Sequence, residues 1–287
     1  MNCKVISIIN NKGGVSKTTT VNICATLLAA IGKKVLIVDC DESGNLSMSY
    51  DHFVDDPLSV LDGIENPSEP NIAELYRYRM RSKDDVEKVI YHTYNNNIDI
   101  IPASKRHKHT PSYILQSTGN NNIILKRALQ AVRENYDFIL IDNAPADNIL
   151  TVNSMFASDY VLVPIRIENY SYKGLKETLT SMNYIIEEHD LESLHFLGAF
   201  FTQVNPRTNI FREMTQKCSD DFSNAEIEGK FFHTFIRMDT KINEINVNFG
   251  SLLKHPESNA LIDYAQLLLE MQILDPESEK ILKDSII

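Results

Sequence analysis

Two lysines, Lys12 and Lys17, bracket the run Gly13, Gly14, Val15, Ser16 in the stretch "NNKGGVSKTTT", and Thr18 and Thr19 follow directly. Holding a polyphosphate takes backbone N–H groups that converge on anionic oxygens, a cation that offsets their charge, and a hydroxyl for the accompanying metal. The glycine pair allows the first, Lys17 supplies the second and Thr18 the third. The spacing keeps the Lys17-Thr18 end of the phosphate-loop template G-x-x-x-x-G-K-[ST], while Asn11 and Ser16 occupy its two glycine positions. That template has no use for a second lysine, so Lys12 asks for a role of its own. The plain structural alternative is a glycine turn before a helix, with two solvated lysines.

Two acidic motifs narrow the choice. "KVLIVDCDESGN" ends in Asp39 and Asp41, carboxylates at the C-terminal end of an expected strand, where they can orient water around a nucleotide's metal. "YDFILIDNAP" places four apolar residues before Asp142, the Walker B pattern for holding Mg²⁺ through its water shell. An acid after a strand often serves only as a cap or turn residue, so each motif alone is ambiguous. The three in this order point to a nucleotide site.

The elements that must position these residues are legible as an alternation. Short β-rich apolar runs at 4–10, 34–40, 98–103, 138–144, 160–165, 196–202 and 231–236 read as strands, several apolar on both faces. Helical patterns occupy 18–31, 121–134, 173–188 and 258–272. The fold class is therefore α/β, a mostly parallel central sheet of about seven or eight strands with helices on both faces. One domain is expected over 1–287, with 51–95 as a peripheral excursion of short helices and loops and 273–287 as a frayed tail. Cys3, Cys24, Cys40 and Cys218 lack C-x-x-C spacing and read as packed, reduced thiols. Neither a leader-like apolar segment nor an apolar run near ~18 residues is present, so a cytoplasmic protein without a membrane contact is expected. A net charge of −11 argues against general attraction to nucleic acid, though a local basic patch can coexist with it.

On "NNKGGVSKTTTVN", "VLIVDCDESGNLS", "IIPAS", "YDFILIDNAPADNILTVNSMFASDYVLVPI", "GL" at 174–175, "RTN" at 207–209 and "IRMDTKINE" at 236–244, the chain resembles the ParA/MinD group of deviant Walker A ATPases, most closely the ParA partition proteins. The resemblance implies ATP and Mg²⁺ as cofactors and Lys12 as the signature lysine, reaching across a homodimer to the partner's nucleotide as an arginine finger does elsewhere. It further implies that Lys17 contacts the phosphates, Thr18 and Asp142 hold Mg²⁺ with support from Asp39, Asp41 positions the attacking water, and Asn45 lies near the γ-phosphate. Adenine is expected against Thr202 to Asn205 and Ile236 to Asp239, including Arg237. The sequence departs from the family at Glu42 and Ser43, at Ala144 in place of a proline, and at Arg237, where a proline often contacts the base.

Other family properties follow as expectations: dimerisation in the ATP state, non-specific duplex DNA as track, a ParB-like activating partner, and nucleoid association when ATP is bound. Lys241 and Arg207 are the expected DNA contacts. Glu257 and Asn259 thin the usual patch, and the clusters 77–83, where helical spacing would set Arg77 beside Arg81 and Arg79 beside Lys83, and 105–109 offer compensation if they are more than solvated faces. The loop begins too early for an upstream helix-turn-helix domain, so operator reading is not expected. A MinD-like or cargo-positioning ATPase is the alternative reading. A ligase or iron-sulfur reductase is disfavoured by the second lysine and the cysteine positions.

Overall fold

A computed structural model describes residues 3–53, 69–167, 169–189, 191–223, 230–242 and 257–286. The strands are β1 (Lys4–Ile8), β2 (Val35–Cys40), β3 (Tyr91–His92), β4 (Ile98–Ile101), β5 (Phe138–Asn143), β6 (Tyr160–Arg166), β7 (His195–Thr202) and β8 (Lys230–Phe231). They form one sheet in the order β3-β4-β2-β5-β1-β6-β7-β8. Every neighbouring pair is parallel except β3 with β4. The helices are α1 (Lys17–Ala30), α2 (Asn45–Ser49), α3 (Ile72–Arg77), α4 (Lys83–Glu87), α5 (Thr110–Gln116), α6 (Ile124–Val132), α7 (Ile149–Ala157), α8 (Asn169–His189), α9 (Asn209–Ser223), α10 (Asn259–Glu270) and α11 (Pro276–Ile286).

Both faces of the sheet are covered, which is why β2 and β5 are buried along their whole length. Ile6, Ile8 and Ile37 point to one face and pack with Val21 and Leu28 of α1 and Tyr264 and Leu268 of α10. Val5, Leu36 and Val38 point to the other and meet Leu75 of α3 and Leu125 and Leu129 of α6. Val161 and Val163 of β6 face Leu175, Leu179 and Met182 of α8. This alternation follows from the two-residue period of a strand.

Four expectations are revised. The strand expected over 231–236 shrinks to Lys230–Phe231, because the His233 and Thr234 amides donate to the Glu270 carboxylate at 2.8 and 2.9 Å instead of joining the ladder. The tail is not frayed: Leu282 of α11 is fully buried, and Asp275, which caps α11 through Ser278, pairs with Lys33 at 2.7 Å. Residues 54–68 of the excursion lie outside the described residues, but its second half is no surface appendage, since Ile72, Leu75, Val86 and Val89 are buried in the core. The helical spacing expected across 77–83 is interrupted. Helix α3 ends at Arg77, Arg79 takes a left-handed φ of 50° and bonds Ser117, Asn121 and Asn120, and α4 starts afresh at Lys83. Arg77 instead lies over the rings of Tyr78 and Tyr113.

The β6–β7 pairing contains a register shift that brings Leu162 opposite Gly198, whose φ is +154°. A Cβ there would fall 2.4 Å from the Phe232 ring and 2.5 Å from the Lys230 carbonyl oxygen. Gly198→Ala is expected to lower stability by about 1–3 kcal/mol, because a backbone atom cannot step aside as a flexible side chain does. Urea unfolding of the two proteins measures this directly.

Candidate functional site

Strand β1 lies between β5 and β6, and the chain after β1 leads through α1 to β2 on the β5 side. The loops leaving the C-terminal ends of β1, β2 and β5 therefore gather at one edge, at the topological switch point where open α/β sheets bind ligands. Gly14 and Ser16 take left-handed φ values of 74° and 70°, which turn the loop tightly into α1. No side chain caps the N-terminus of α1 and no acidic residue stands in its first turn. Its leading N–H groups and positive dipole end are thus left for an anion.

Lys17 is buried, and its Nζ donates to the carbonyl oxygens of Asn10 and Lys12 at 3.0 Å each. Burial pulls its pKa below the ordinary lysine value, with Asp142 and Asp41 opposing that shift. Asp142 ends β5 in register with Ile8 of β1 and Asp39 of β2. Among the described residues, neither of its buried carboxylate oxygens has a hydrogen-bond partner. Burial pushes this carboxyl well above the usual range and the neighbouring Asp39 adds to it, while the Thr18 hydroxyl and Lys17 work the other way. A buried carboxylate left so is costly unless a cation compensates it. The donor set fits hydrated Mg²⁺, an oxygen-seeking ion that keeps most of its water: Thr18 would hold it directly and Asp142 through water.

Asp39 is engaged differently. Its oxygens accept from the Ser47 amide at 2.8 Å, the Ser47 hydroxyl at 2.6 Å and the Asp41 amide at 3.1 Å. Burial raises its pKa to about 6, against those hydrogen bonds. The Ser47 hydroxyl in turn accepts from the Ala103 amide at 2.8 Å, so Asp39 ties the Asp41 loop and α2 to the end of β4. Asp41 Oδ1 accepts from the Ser43 amide, and Asn45 donates to the Ser43 hydroxyl. The departures Glu42 and Ser43 therefore sit in a loop that is still hydrogen-bonded in place.

The cleft, about 1160 Å³, is lined by Gly13 through Thr19, by Asp41 to Ser43 and Asn45, by Ala144 to Ala146, and by Gln203. It brings together every expected residue of the phosphate loop except Lys12, whose side chain lies outside this lining. The base segments are more dispersed. Thr202 is buried beneath the loop and donates to the Val15 carbonyl at 3.2 Å, while the Asn205 side chain accepts from the Arg207 amide in an exposed turn. Arg237 grips Asp263 of α10 with both arms of its guanidinium, and Asp239 caps α10 by accepting from Ser258 and Ala260. Both are thereby committed to internal contacts. Lys241 pairs with Glu257, and Arg207 is exposed.

Three features escaped the sequence. Gln203 donates to the Gly14 carbonyl at 3.2 Å and the Ser16 hydroxyl at 2.9 Å, bridging the end of β7 to the phosphate loop. Asn10, fully buried, donates to the Pro164 carbonyl and accepts from the Lys12 amide, both at 2.9 Å. Lys105 and Lys108, read as possible DNA contacts, line the cleft. Strand endings and loop crossings decide all three, and none has a local sequence signal.

Residues 3–195 match the AAA domain family. The sporulation initiation inhibitor protein Soj of Bacillus subtilis is 33% identical over 242 residues, covering 84% of this chain and 87% of the relative. The chain belongs to the ParA-type P-loop ATPases. The chromosome partitioning protein ParA of Caulobacter vibrioides is 27% identical, with 96% of each chain covered. An ATP complex of McdA from Cyanothece has the same fold, with a TM-score of 0.78 at 19% identity, over 96% of this chain and 98% of that one. As a ParA-type protein the chain is a partition or positioning ATPase that uses ATP and Mg²⁺.

In this ParA-type site Gly174 of α8 approaches the phosphate loop so closely that a Cβ would lie 2.6 Å from Asn10 Oδ1. Gly174→Ala is expected to displace the Asn10 side chain, which accepts the Lys12 amide, and with it the Asn10 carbonyl that holds Lys17. At about 1–3 kcal/mol for such overpacking, ATP affinity should drop roughly tenfold while the fold survives. Nucleotide titration alongside a thermal melt separates the two effects.

Proposed function

We propose that this chain is an ATP-dependent dimerising switch that partitions plasmid or chromosomal DNA, binds duplex DNA without sequence preference in its ATP state, and is stimulated to hydrolyse by a ParB-like partner. The observation that carries the reading is Lys12. The cleft lining begins at Gly13, and Lys12 contributes its backbone to the loop while its half-buried side chain stands outside its own subunit's cleft. A lysine so placed suits a nucleotide held by a second subunit.

Within one subunit, Lys17 moves from the Asn10 and Lys12 carbonyls onto the phosphates, and the amides from Gly13 to Thr19 close around them. Mg²⁺, when bound, neutralises phosphate oxygens and orients them for in-line attack. Asp41, fixed through Oδ1 by the Ser43 amide, orients the attacking water. Lys12 of the opposite subunit then stabilises the charge that develops on the transferred phosphoryl group. Gln203 links the base side of the site to the loop, as does Thr202.

A second reading, a positioning ATPase whose track is not DNA, is favoured by one observation: the Lys241–Glu257 pair, on a chain of net charge −11, consumes the expected DNA contact. Arg207 remains exposed as the alternative contact.

Lys17→Ala should abolish nucleotide binding. Lys12→Ala should bind ATP almost normally yet fail to form the ATP dimer or to hydrolyse. Equilibrium dialysis and sedimentation read both, and equal loss of binding in the two variants rules out the role in trans. Asp41→Ala should accumulate as a persistent ATP dimer, so normal turnover in that variant removes its assignment. For the track, DNA retention is measured against salt with ATP and with ADP. With about 4–6 phosphate contacts per dimer, log affinity should fall with log salt at a slope between about −4 and −5. Glu257→Gln should strengthen retention by releasing Lys241. Absence of ATP-dependent retention at low salt selects the second reading.

A further inference from the structure

Lys105 and Lys108 stand on a short 3-10 helix, Lys105–His109, that follows β4. Side chains three apart eclipse one another in such a helix, so the two lysines share a face, and that face lines the nucleotide cleft. In the sheet, β2 and β5 separate β4 from β1. The lysine wall is rooted three strand spacings, or about 14 Å, from the strand that carries the phosphate loop. Between the two walls lie the ends of β2 and β5, which bear Asp41 and Asp142.

The turn is built to be rigid. Arg106 Nη1 donates to Glu74 Oε1 at 3.1 Å, and Glu74, itself buried, accepts the Asn71 amide through its other oxygen. Ser104 donates to the Asn71 side chain at 3.0 Å. His107 is buried, with Nδ1 at 3.0 Å from the Thr110 hydroxyl and its ring beside Tyr76. Burial lowers its pKa to about 4, so it is neutral near pH 7 and adds no charge to the wall. Arg106 and the buried His107 thus anchor the turn, His107 within the cleft lining, while Lys105 and Lys108 of the same lining are exposed.

We infer that Lys105 and Lys108 form a subsite for the inorganic phosphate cleaved from ATP. The inference rests on the chain being an ATPase. In hydrolysis the water oxygen bonds to the γ-phosphorus, and the bridging oxygen leaves with its electron pair on ADP. The water proton passes to the new phosphate or to solvent. ADP keeps Lys17 and the loop amides. The released phosphate carries at least one negative charge and begins its exit beside Asp41 and Glu42, whose carboxylates line the cleft and repel it. Among the described residues lining the cleft, only Lys17, Lys105 and Lys108 are cations, and the last two stand across from the loop that retains ADP. They draw the phosphate away from the loop and offset the carboxylates as it leaves.

The test is calorimetric titration of inorganic phosphate into the full chain saturated with ADP and Mg²⁺, for the native protein and for Lys108→Gln and the Lys105→Gln/Lys108→Gln double variant. Phosphate affinity should fall roughly tenfold per lysine removed, with ADP affinity unchanged. Inhibition of ATP turnover by added phosphate should weaken in parallel. Equal phosphate affinity in all three proteins overturns the inference. So does a fall in nucleotide affinity with phosphate binding intact, which would put the lysines on the nucleotide itself. Lysine-dependent phosphate binding in a chain that hydrolyses no ATP leaves the subsite standing and removes the ATPase reading instead.

Discussion

Among the described residues, a buried carboxylate without a hydrogen bond and a buried ammonium held by backbone carbonyls stand near each other at the centre of this fold. Asp142 and Lys17 are each brought out of water by the sheet; Asp142 finds no hydrogen-bond partner among the described residues, and Lys17 donates to two backbone carbonyls. Burial works against the charged form of both, raising the pKa of one and lowering that of the other. Their mutual attraction offsets part of this, but the geometry is that of a site waiting for a phosphate and a divalent ion. The remaining structure keeps these two groups in place: the parallel strands that set their depth, the uncapped helix α1 behind the loop, and Asn10 beneath it.

Around that pair the loops are tied to one another rather than left to find their own positions. Asp39 anchors the Asp41 loop and, through Ser47 and Ala103, reaches the end of β4. Gln203 and Thr202 join the end of β7 to the phosphate loop. Asn10 connects the loop to β6, and Gly174 leaves the room Asn10 requires. The loops of the cleft are thus hydrogen-bonded to β6, to the end of β7 and to the chain that follows β4.

Charge is distributed unevenly over the same edge. The cleft holds the carboxylates Asp41 and Glu42, with Lys17 of the loop on one side and the lysine turn after β4 on the other. The expected DNA patch contributes less, since Lys241 is drawn to Glu257 and the cluster at 77–83 is broken by the turn at Arg79. Basic residues that looked alike in the sequence thus divide into cleft wall, internal anchor and exposed surface.

Much of the fold and of the phosphate site was legible in the residues alone. Seven strand positions, the parallel sheet and the loop from Gly13 to Thr19 follow from apolar runs, from the two-residue period, and from a motif whose chemistry is local. Lys12, Lys17, Asp41 and Asp142 stand out because each sits at the end of a strand or in a fixed spacing. The structure alone decided what depends on contacts between distant segments. Arg237 met Asp263, and Asp239 joined the N-terminal cap of α10 through Ser258 and Ala260. The end of the 231–236 run gave its amides to Glu270, α11 packed where a loose tail was expected, and Arg106 turned to Glu74 while Lys105 and Lys108 lined the cleft. Periodicity and spacing report a residue's own element. Which partner a side chain meets across the sheet is set by crossing distances and by competition for buried hydrogen bonds, and those arise only when the chain is folded.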